Sequence, residues 1–280
     1  MGLYGELKSE SKKVIPVNKK DIAAQAPVLW QFAISHYAEK ARWALDYKQV
    51  PHIRRSLIPG PHIPRIKRMT GQTAVPVLEL GGAIIFDSTR IIEAIEKAYP
   101  DPALYPADRE ARERALELEN YLDEELGPYI RQWGYFMLLP YSSTVTALFT
   151  SQAGLGKRLF MRAIFPLVRP VMRSKMKVYP AEAEAARDKT VAAMDRIARE
   201  VAPSGYLVGN IFTVADLTAA ALLSPLVMPK EFPYPPPGSI PAPLAQARAH
   251  LAAHPALKWA AGIYAKHRGK SAALAEETVI

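Results

Sequence analysis

The chain has 280 residues, of which 49% are hydrophobic, so it can bury a substantial core and is long enough for two domains. It contains no cysteine, which excludes disulfide bonds, cysteine-ligated metal centres and any mechanism that oxidises a protein thiol. The formal net charge is +9, so the surface is expected to attract anions such as small acidic peptides or acidic lipid headgroups. No nucleic-acid-binding motif accompanies this charge, and we predict no nucleic-acid partner.

The first 26 residues differ from the rest of the chain. They show no apolar periodicity and carry lysines at positions 8, 12, 13, 19 and 20. This pattern predicts a basic, flexible N-terminal extension over residues 1–26. The segment lacks the basic-then-apolar order of a signal peptide, and we therefore expect a cytoplasmic protein.

A strand, a turn and a helix are predicted around Ser35. The apolar run 28–32 is typical of a buried strand, and apolar residues then recur with helical spacing at Ala38, Ala41 and Leu45. The start of such a helix gathers unpaired backbone N–H groups, the positive end of the helix dipole and the Ser35 hydroxyl at one point. An ordinary serine-capped turn would have the same sequence, but the arrangement also suits a thiolate or another small anion.

The following segment predicts one more strand and then a hairpin and a helix. In chain order the elements are a strand at 52–57, a proline-rich loop at 58–64, a short helix at 65–69, and strands at 75–80 and 83–86. Gly81-Gly82 between the last two strands is a typical hairpin turn. Asp87 and Ser88 then cap a helix over 89–99. The order β-α-β followed by β-β-α predicts a thioredoxin-like α/β domain over 27–101.

Three separated features carry a resemblance to the cytosolic glutathione transferase family. Ser35 lies in the strand–helix turn, with Arg42 seven residues later. The segment 72–78, Gln-Thr-Ala-Val-Pro-Val-Leu, is similar to the Val-Pro segment that precedes the third strand of family members. Asp87-Ser88 opens the next helix, where the family usually has Glu-Ser or Asp-Ser.

The resemblance implies a catalytic hydroxyl that stabilises the thiolate of glutathione. Ser35 matches the catalytic serine or cysteine of the family, and the phenol of Tyr37 is the alternative donor. His36 stands where relatives commonly have proline. In relatives of this fold the bond that matches Val75–Pro76 is cis, which turns the Val75 backbone outward to pair with an extended cysteinyl peptide. An ordinary edge-strand proline is the competing interpretation.

The resemblance also implies contacts with the rest of glutathione. The helix end and Ser88 would take the γ-glutamyl carboxylate, while Asp87 would attract its ammonium group. Gln72 would add an amide contact to the peptide. Plain helix caps and a plain turn residue would give the same sequence. No metal site is predicted.

The second half of the chain reads as helical. From Ala107 onward the pattern is charge-rich and amphipathic, and we expect an all-helical domain over 107–280 with no strand. Its clearest signal is a capping box, in which the Thr213 side chain caps a helix and the Asp216 side chain bonds back to the Thr213 backbone N–H. Phe212 and Leu217 are placed as a hydrophobic staple at the same helix start. This motif resembles the cap of the buried helix in the transferase family.

The segment 131–180 enlarges the helical domain beyond the usual family length. Residues 132–156 carry no charge, and residues 155–176 mix apolar and basic side chains around two prolines. The prolines and polar residues make a poor membrane-spanning helix. We expect helices that wall a hydrophobic acceptor pocket above Ser35; a weak contact with anionic membranes through 151–180 is the alternative. The candidate lining residues are Trp133, Tyr135, Phe136 and Phe149.

The resemblance implies a homodimeric glutathione transferase that attacks a small apolar electrophile. Conjugation, dehalogenation, ether cleavage and isomerisation are all open to such an enzyme. Disulfide reduction through a protein–glutathione mixed disulfide is excluded, because position 35 is serine and the chain has no cysteine. A non-catalytic or membrane-peripheral glutathione-transferase-like binding protein is the second hypothesis.

Overall fold

A computed structural model describes residues 26–279 of the chain. The predicted extension therefore lies outside the described residues, apart from Ala26. The described chain forms a mixed five-stranded sheet with helices packed on it, followed by a larger helical half.

The sheet domain follows the predicted order of elements. In sequence order these are β1 (Val28–Gln31), α1 (His36–Tyr47), β2 (His52–Leu57), α2 (Ile63–Thr70), β3 (Val77–Leu80), β4 (Ala83–Phe86) and α3 (Ser88–Ala98). Strands β1 and β2 are parallel, whereas β3 runs antiparallel to both β1 and β4. The β3–β4 hairpin turns at Gly81 and Gly82, which both adopt the positive φ that such a turn needs.

The helical half surrounds one almost completely buried helix. Its helices are α4 (Arg109–Glu125), α5 (Gly127–Leu138), α6 (Ser142–Phe149), α7 (Leu155–Lys175), α8 (Pro180–Glu200), α9 (Val214–Val227), α10 (Ala242–Leu251) and α11 (Pro255–His267). Helix α9 is apolar on all sides because it packs against α1, α4 and α11 at once. The predicted capping box is confirmed, since the Asp216 carboxylate accepts hydrogen bonds from the Thr213 N–H at 2.9 Å and the Leu207 N–H at 2.8 Å.

The expectation of no strand after residue 107 is wrong at the end of the chain. Residues Ala273–Val279 form β5, which pairs in parallel with β2 and gives the sheet order β4-β3-β1-β2-β5. Alanine and glutamate dominate this segment, and neither favours strands intrinsically. Tertiary contacts impose the strand: Asp46 accepts hydrogen bonds from the Ala272 N–H and from Arg268, both at 2.8 Å.

Helix α7 is continuous although it contains Pro166 and Pro170. Both prolines face solvent, where water can satisfy the carbonyl groups that lose their helical partners.

No helix among residues 26–279 combines the length and the hydropathy that a membrane-spanning segment needs.

Candidate functional site

A largely apolar cavity of about 670 Å³ lies between the sheet domain and the helical half, and Ser35 lines it. Its walls come from the β1–α1 turn, the loop before α2, the segment before β3, helices α5, α6 and α7, and the proline-rich loop after α9. The cavity therefore joins the predicted thiol position to an apolar space, as the sequence led us to expect.

Ser35 is the N-cap residue of α1. Its Oγ accepts a hydrogen bond from the Ala38 N–H at 3.2 Å, and its backbone is extended. Since a hydroxyl can accept and donate at the same time, the Ser35 proton remains available to a group in the cavity. The positive end of the α1 dipole lies at the same point.

Tyr37 also borders the cavity, but its hydroxyl is engaged elsewhere. It donates a hydrogen bond to the backbone carbonyl of Asp123 at 3.0 Å. Burial, together with the negative charge of Asp123, raises the pKa of the Tyr37 phenol above its usual value. The phenol lies so close to Gly127 that a Cβ there would overlap it. Tyr37 thus links α1 to the α4–α5 junction.

His36 is buried and lines the same cavity. Burial and the nearby Arg131 lower the pKa of its imidazole to about 3, so the ring is neutral at neutral pH. Its Nε2 atom has no hydrogen-bond partner in the described part of the chain. The residue is a buried polar group inside the site and not a cation for binding anions.

A buried polar cluster brings the N-terminal ends of α1 and α3 together. The Lys40 ammonium donates to the Asp123 carboxylate at 2.6 Å, to Glu119 at 3.2 Å and to the Thr89 hydroxyl at 3.3 Å. Burial alone would lower the pKa of Lys40, but Asp123 and Glu119 raise it above its usual value. Sequence reasoning missed this cluster. The sequence contains one sign of it: Lys40 stands between the apolar positions Ala38 and Ala41 of a helix that is buried on nearly all sides.

Asp87 is the N-cap residue of α3, as predicted. Its carboxylate accepts hydrogen bonds from the Thr89 N–H at 3.0 Å and the Arg90 N–H at 3.3 Å, and Ser88 is buried beside it. Asp87 has a φ of 77°, a conformation that strains a residue other than glycine. Such strain tends to persist at ligand-binding positions, so the geometry favours a role beyond capping.

The segment before β3 presents backbone groups to the cavity. The Val75–Pro76 bond is cis, which confirms the expectation taken from the family, and Val75 lines the cavity. Neither the N–H nor the C=O of Val75 has a hydrogen-bond partner among residues 26–279. The Gln72 side chain, by contrast, pairs with the backbone of Ala74 in a local turn and does not line the cavity.

The apolar lining differs in part from the expectation. Of the four aromatic candidates, Tyr135 and Phe149 line the cavity, whereas Trp133 is in the core and Phe136 is partly exposed outside it. The loop after α9 contributes aromatic rings that sequence reasoning missed, and α7 contributes aliphatic side chains. The unpredicted lining residues include Phe232, Tyr234, Val168 and Met172.

Among the described residues, no group of three or more histidine, aspartate or glutamate side chains is placed to hold a metal ion.

Comparison with known proteins agrees with this geometry. Residues 29–103 match the family model for the glutathione S-transferase N-terminal domain. A maleylpyruvate isomerase from Ralstonia sp is 33% identical over 102 residues, which are 35% of this chain and 47% of the isomerase. The matched segment thus spans about half the length of that curated relative.

Solved structures share the fold over both halves. The beta-etherase LigF from Sphingobium sp. strain SYK-6 matches with a TM-score of 0.57 at 19% identity, over 84% of this chain and 98% of the etherase. A theta-class glutathione S-transferase from Xanthomonas axonopodis pv. citri, with glutathione bound, matches with a TM-score of 0.52 at 18% identity, over 84% and 96%. Residues 29–103 are therefore similar to the glutathione S-transferase N-terminal domain, and the described chain has the two-part fold of the solved glutathione transferase structures.

Proposed function

We propose that the protein is a glutathione transferase that activates the glutathione thiolate for attack on a small apolar electrophile. The observation that carries the proposal is a convergence at one cavity: the Ser35 hydroxyl at a helix N-terminus, the unpaired Val75 backbone beside a cis proline, and a largely apolar wall. The matched N-terminal domain and the maleylpyruvate isomerase relative support it.

Glutathione would bind as an extra edge segment beside Val75. Its cysteinyl backbone would pair with the Val75 N–H and C=O, which have no other partner among the described residues. Its γ-glutamyl group would reach the N-terminus of α3, where Ser88 and the helix end take the carboxylate and Asp87 attracts the ammonium group. Gln72, which is already paired with Ala74, would contact the ligand only after that turn opened.

Ser35 is the proposed donor to the thiolate. A free thiol titrates near pH ~8.5, and each unit by which its pKa falls corresponds to about 1.4 kcal/mol in favour of the thiolate. A hydrogen bond donated by the Ser35 hydroxyl and the α1 dipole together would lower the pKa of the glutathione thiol by about one to two units. Tyr37 is the weaker candidate, because its hydroxyl already donates a hydrogen bond to the Asp123 carbonyl.

The acceptor would be a small apolar electrophile held in the cavity. Aromatic and aliphatic side chains line most of it, so they would exclude water and hold the acceptor against the thiolate. Conjugation, dehalogenation, ether cleavage and isomerisation fit the site equally well. Two of the similar proteins are named as an isomerase and an etherase, which favours these non-reductive reactions.

The assembly and the surroundings of the enzyme are part of the proposal. A homodimer is supported by the exposed apolar side chains Ile84 and Phe86 on the edge strand β4, and light scattering would test it. The cytoplasmic location stays a prediction from the sequence. A contact with anionic membranes through 151–180 is supported by the basic, partly apolar surface of that segment. A binding protein without catalysis would keep the cavity but leave the thiol of bound glutathione protonated.

The decisive measurement is the ultraviolet absorbance of the thiolate in the protein–glutathione complex, followed against pH. We expect a thiolate at neutral pH in the native protein and a pKa about one to two units higher in Ser35→Ala. Tyr37→Phe should leave the thiol pKa unchanged, and so should Ser239→Ala, a serine that lines the same cavity from the far loop. A protonated thiol in the native complex, or an unchanged pKa in Ser35→Ala, would contradict the proposal.

A further inference from the structure

Helix α7 is apolar on two opposite sides. One side packs on the protein through Met161 and Phe165, which are fully buried. The other side exposes large hydrophobic residues that no described element covers, with 72% of Leu155 and 75% of Leu167 accessible. The exposed set is Leu155, Leu159, Phe160, Leu167 and Val171. Single exposed hydrophobic residues are common, but a stripe of five along one helix marks an interaction surface.

The same segment is strongly basic. Seven lysine and arginine residues lie between positions 155 and 177, and no acidic residue occurs between 154 and 178. Arg162, Arg169 and Arg173 are spaced by seven and four residues, which places them on one side of the helix beside the apolar stripe. An exposed apolar stripe bordered by arginines fits an anionic lipid surface, because the lipid supplies both an apolar phase and negative charge.

These three arginines line a second cavity of about 590 Å³, between the start of α6 and the side of α7. The hydroxyl residues Ser142, Ser143 and Thr146 line it as well, and none of its lining residues is acidic. The Arg162 and Arg169 side chains have no ion pair or hydrogen bond with residues 26–279, while the Arg173 guanidinium lies over the Tyr179 ring.

The N-terminus of α6 adds unused donors to this second cavity. Its N-cap residue, Tyr141, makes no side-chain hydrogen bond to the helix, so the first N–H groups of α6 have no capping partner. One guanidinium group can donate two parallel hydrogen bonds to the oxygens of a phosphate. Serine hydroxyls and the N–H groups at a helix N-terminus are further hydrogen-bond donors. Donors of these kinds around one cavity suit a phosphate group.

We propose that the second cavity binds the phosphate of an anionic phospholipid, while the exposed stripe of α7 enters the interfacial layer of the membrane. Leu167 and Val171 belong to the stripe and also line the first cavity, together with Ser35. Docking would thus open the first cavity toward the membrane, and an apolar acceptor would enter from the lipid phase. This last step rests on the proposed transferase function; the lipid contact itself does not.

The test is cosedimentation of the full-length protein with vesicles. Vesicles of phosphatidylcholine alone are compared with vesicles that contain phosphatidylglycerol. We expect binding only to the anionic vesicles and weaker binding as salt is added. The triple variant Arg162→Gln/Arg169→Gln/Arg173→Gln should reduce binding at least tenfold, and Leu159→Ser/Phe160→Ser should reduce it by a similar factor.

Matched variants separate this surface from general charge and hydrophobicity. Arg109→Gln/Arg187→Gln/Arg199→Gln removes the same charge from other helices, and Ile211→Ser changes a side chain that is 54% exposed, against 56% for Leu159. Both should bind like the native protein. The variant Lys8→Gln/Lys12→Gln/Lys13→Gln/Lys19→Gln/Lys20→Gln tests the basic extension in the same way. Binding that survives the α7 arginine substitutions, or that disappears only when these lysines are replaced, overturns the proposal.

Two further outcomes would also overturn it. If glycerol phosphate in solution binds to the second cavity while the protein does not bind anionic vesicles, the second cavity binds free phosphates and not a membrane lipid. If Leu159→Ser/Phe160→Ser converts a dimer to a monomer in light scattering and leaves vesicle binding unchanged, the stripe is an interface between copies of the chain. Thiolate absorbance in the same variants should remain native, so failure of the transferase proposal would be seen separately.

Discussion

Residues 35, 36 and 37 are neighbours in sequence, yet each meets a different environment. The Ser35 hydroxyl can still donate a hydrogen bond into the cavity, His36 is buried and neutral, and the Tyr37 hydroxyl donates a hydrogen bond to the Asp123 carbonyl in the helical half. Arg42 stabilises this turn. Its guanidinium donates hydrogen bonds to the Ser35 carbonyl at 3.2 Å and to the Glu39 and Gln31 side chains at 2.8 Å. The position of Ser35 thus depends on a buried arginine that does not reach the cavity itself.

The contact between Tyr37 and Gly127 gives a prediction for single residues. Gly127→Ala should destabilise the protein by about 1–3 kcal/mol, because the new Cβ would overlap the phenol. Gly134→Ala in the same helix, where an added Cβ would meet no atom within 4 Å, should instead stabilise it by about 0.5–1 kcal/mol through helix propensity. Urea unfolding measures both. Equal effects of the two substitutions would show that Tyr37 does not pack against Gly127 in solution.

At the scale of elements, β5 shows how distant parts of the chain are joined. The buried Asp46 carboxylate accepts hydrogen bonds from Arg54 at 2.5 Å and from Arg268 at 2.8 Å. Burial would raise the pKa of Asp46, but Arg268 and Arg54 hold it below its usual value. The residues of α1, β2 and the segment before β5 therefore form one ionic network. This network fixes the C-terminal strand and covers the edge of β2 that would otherwise be open to aggregation.

Removing the charge of Asp46 should release this strand. Asp46→Asn leaves the buried Arg54 without its carboxylate and Arg268 with only Glu39, and we expect a loss of about 3–5 kcal/mol in the free energy of unfolding. Amide hydrogen exchange should become faster in β5 and along β2, because their shared hydrogen bonds open more often. Asp195→Asn, on the surface of α8, should stay within about 0.5 kcal/mol of the native protein. Unchanged exchange in β5 would mean that strand pairing holds without the network.

At the scale of the whole molecule, two buried histidines link stability to pH. Burial lowers the pKa of His36 to about 3 and that of His52 to about 4. The Arg54 guanidinium donates to His52 Nε2 at 3.0 Å, and Nδ1 lies 2.8 Å from the Val50 carbonyl. These partners suit a neutral ring that donates from Nδ1. Both histidines must bind protons when the chain unfolds in weak acid.

Each of these two histidines should therefore lower the stability of the protein as the pH falls from about 6.5 toward 4, whereas Asp216, whose pKa burial raises to about 6, acts in the opposite direction. In that window each of the two histidines binds more protons in the unfolded chain than in the folded one, so each lowers the free energy of unfolding by at most about 1.4 kcal/mol per pH unit. Denaturant unfolding at pH 7, 6 and 5 measures this slope. His36→Phe should make it shallower, whereas His250→Gln, which replaces an exposed histidine, should not change it. A slope that His36→Phe leaves unaltered would show that His36 titrates normally in the folded state.

Local sequence patterns determined the sheet domain, its hairpin, the α9 capping box and the serine at the start of α1. They did so because turns, caps and apolar periodicity act between residues that are close in the chain. Only the tertiary structure decided that Ala273–Val279 becomes a strand, that the Tyr37 hydroxyl donates a hydrogen bond to Asp123, that Lys40 is buried and that the loop after α9 lines the cavity. In each case the deciding partner is distant in sequence. The free energy of the contacts with such a partner exceeds the local conformational preference of the residues. Packing against distant parts of the chain therefore decides the structure of these segments.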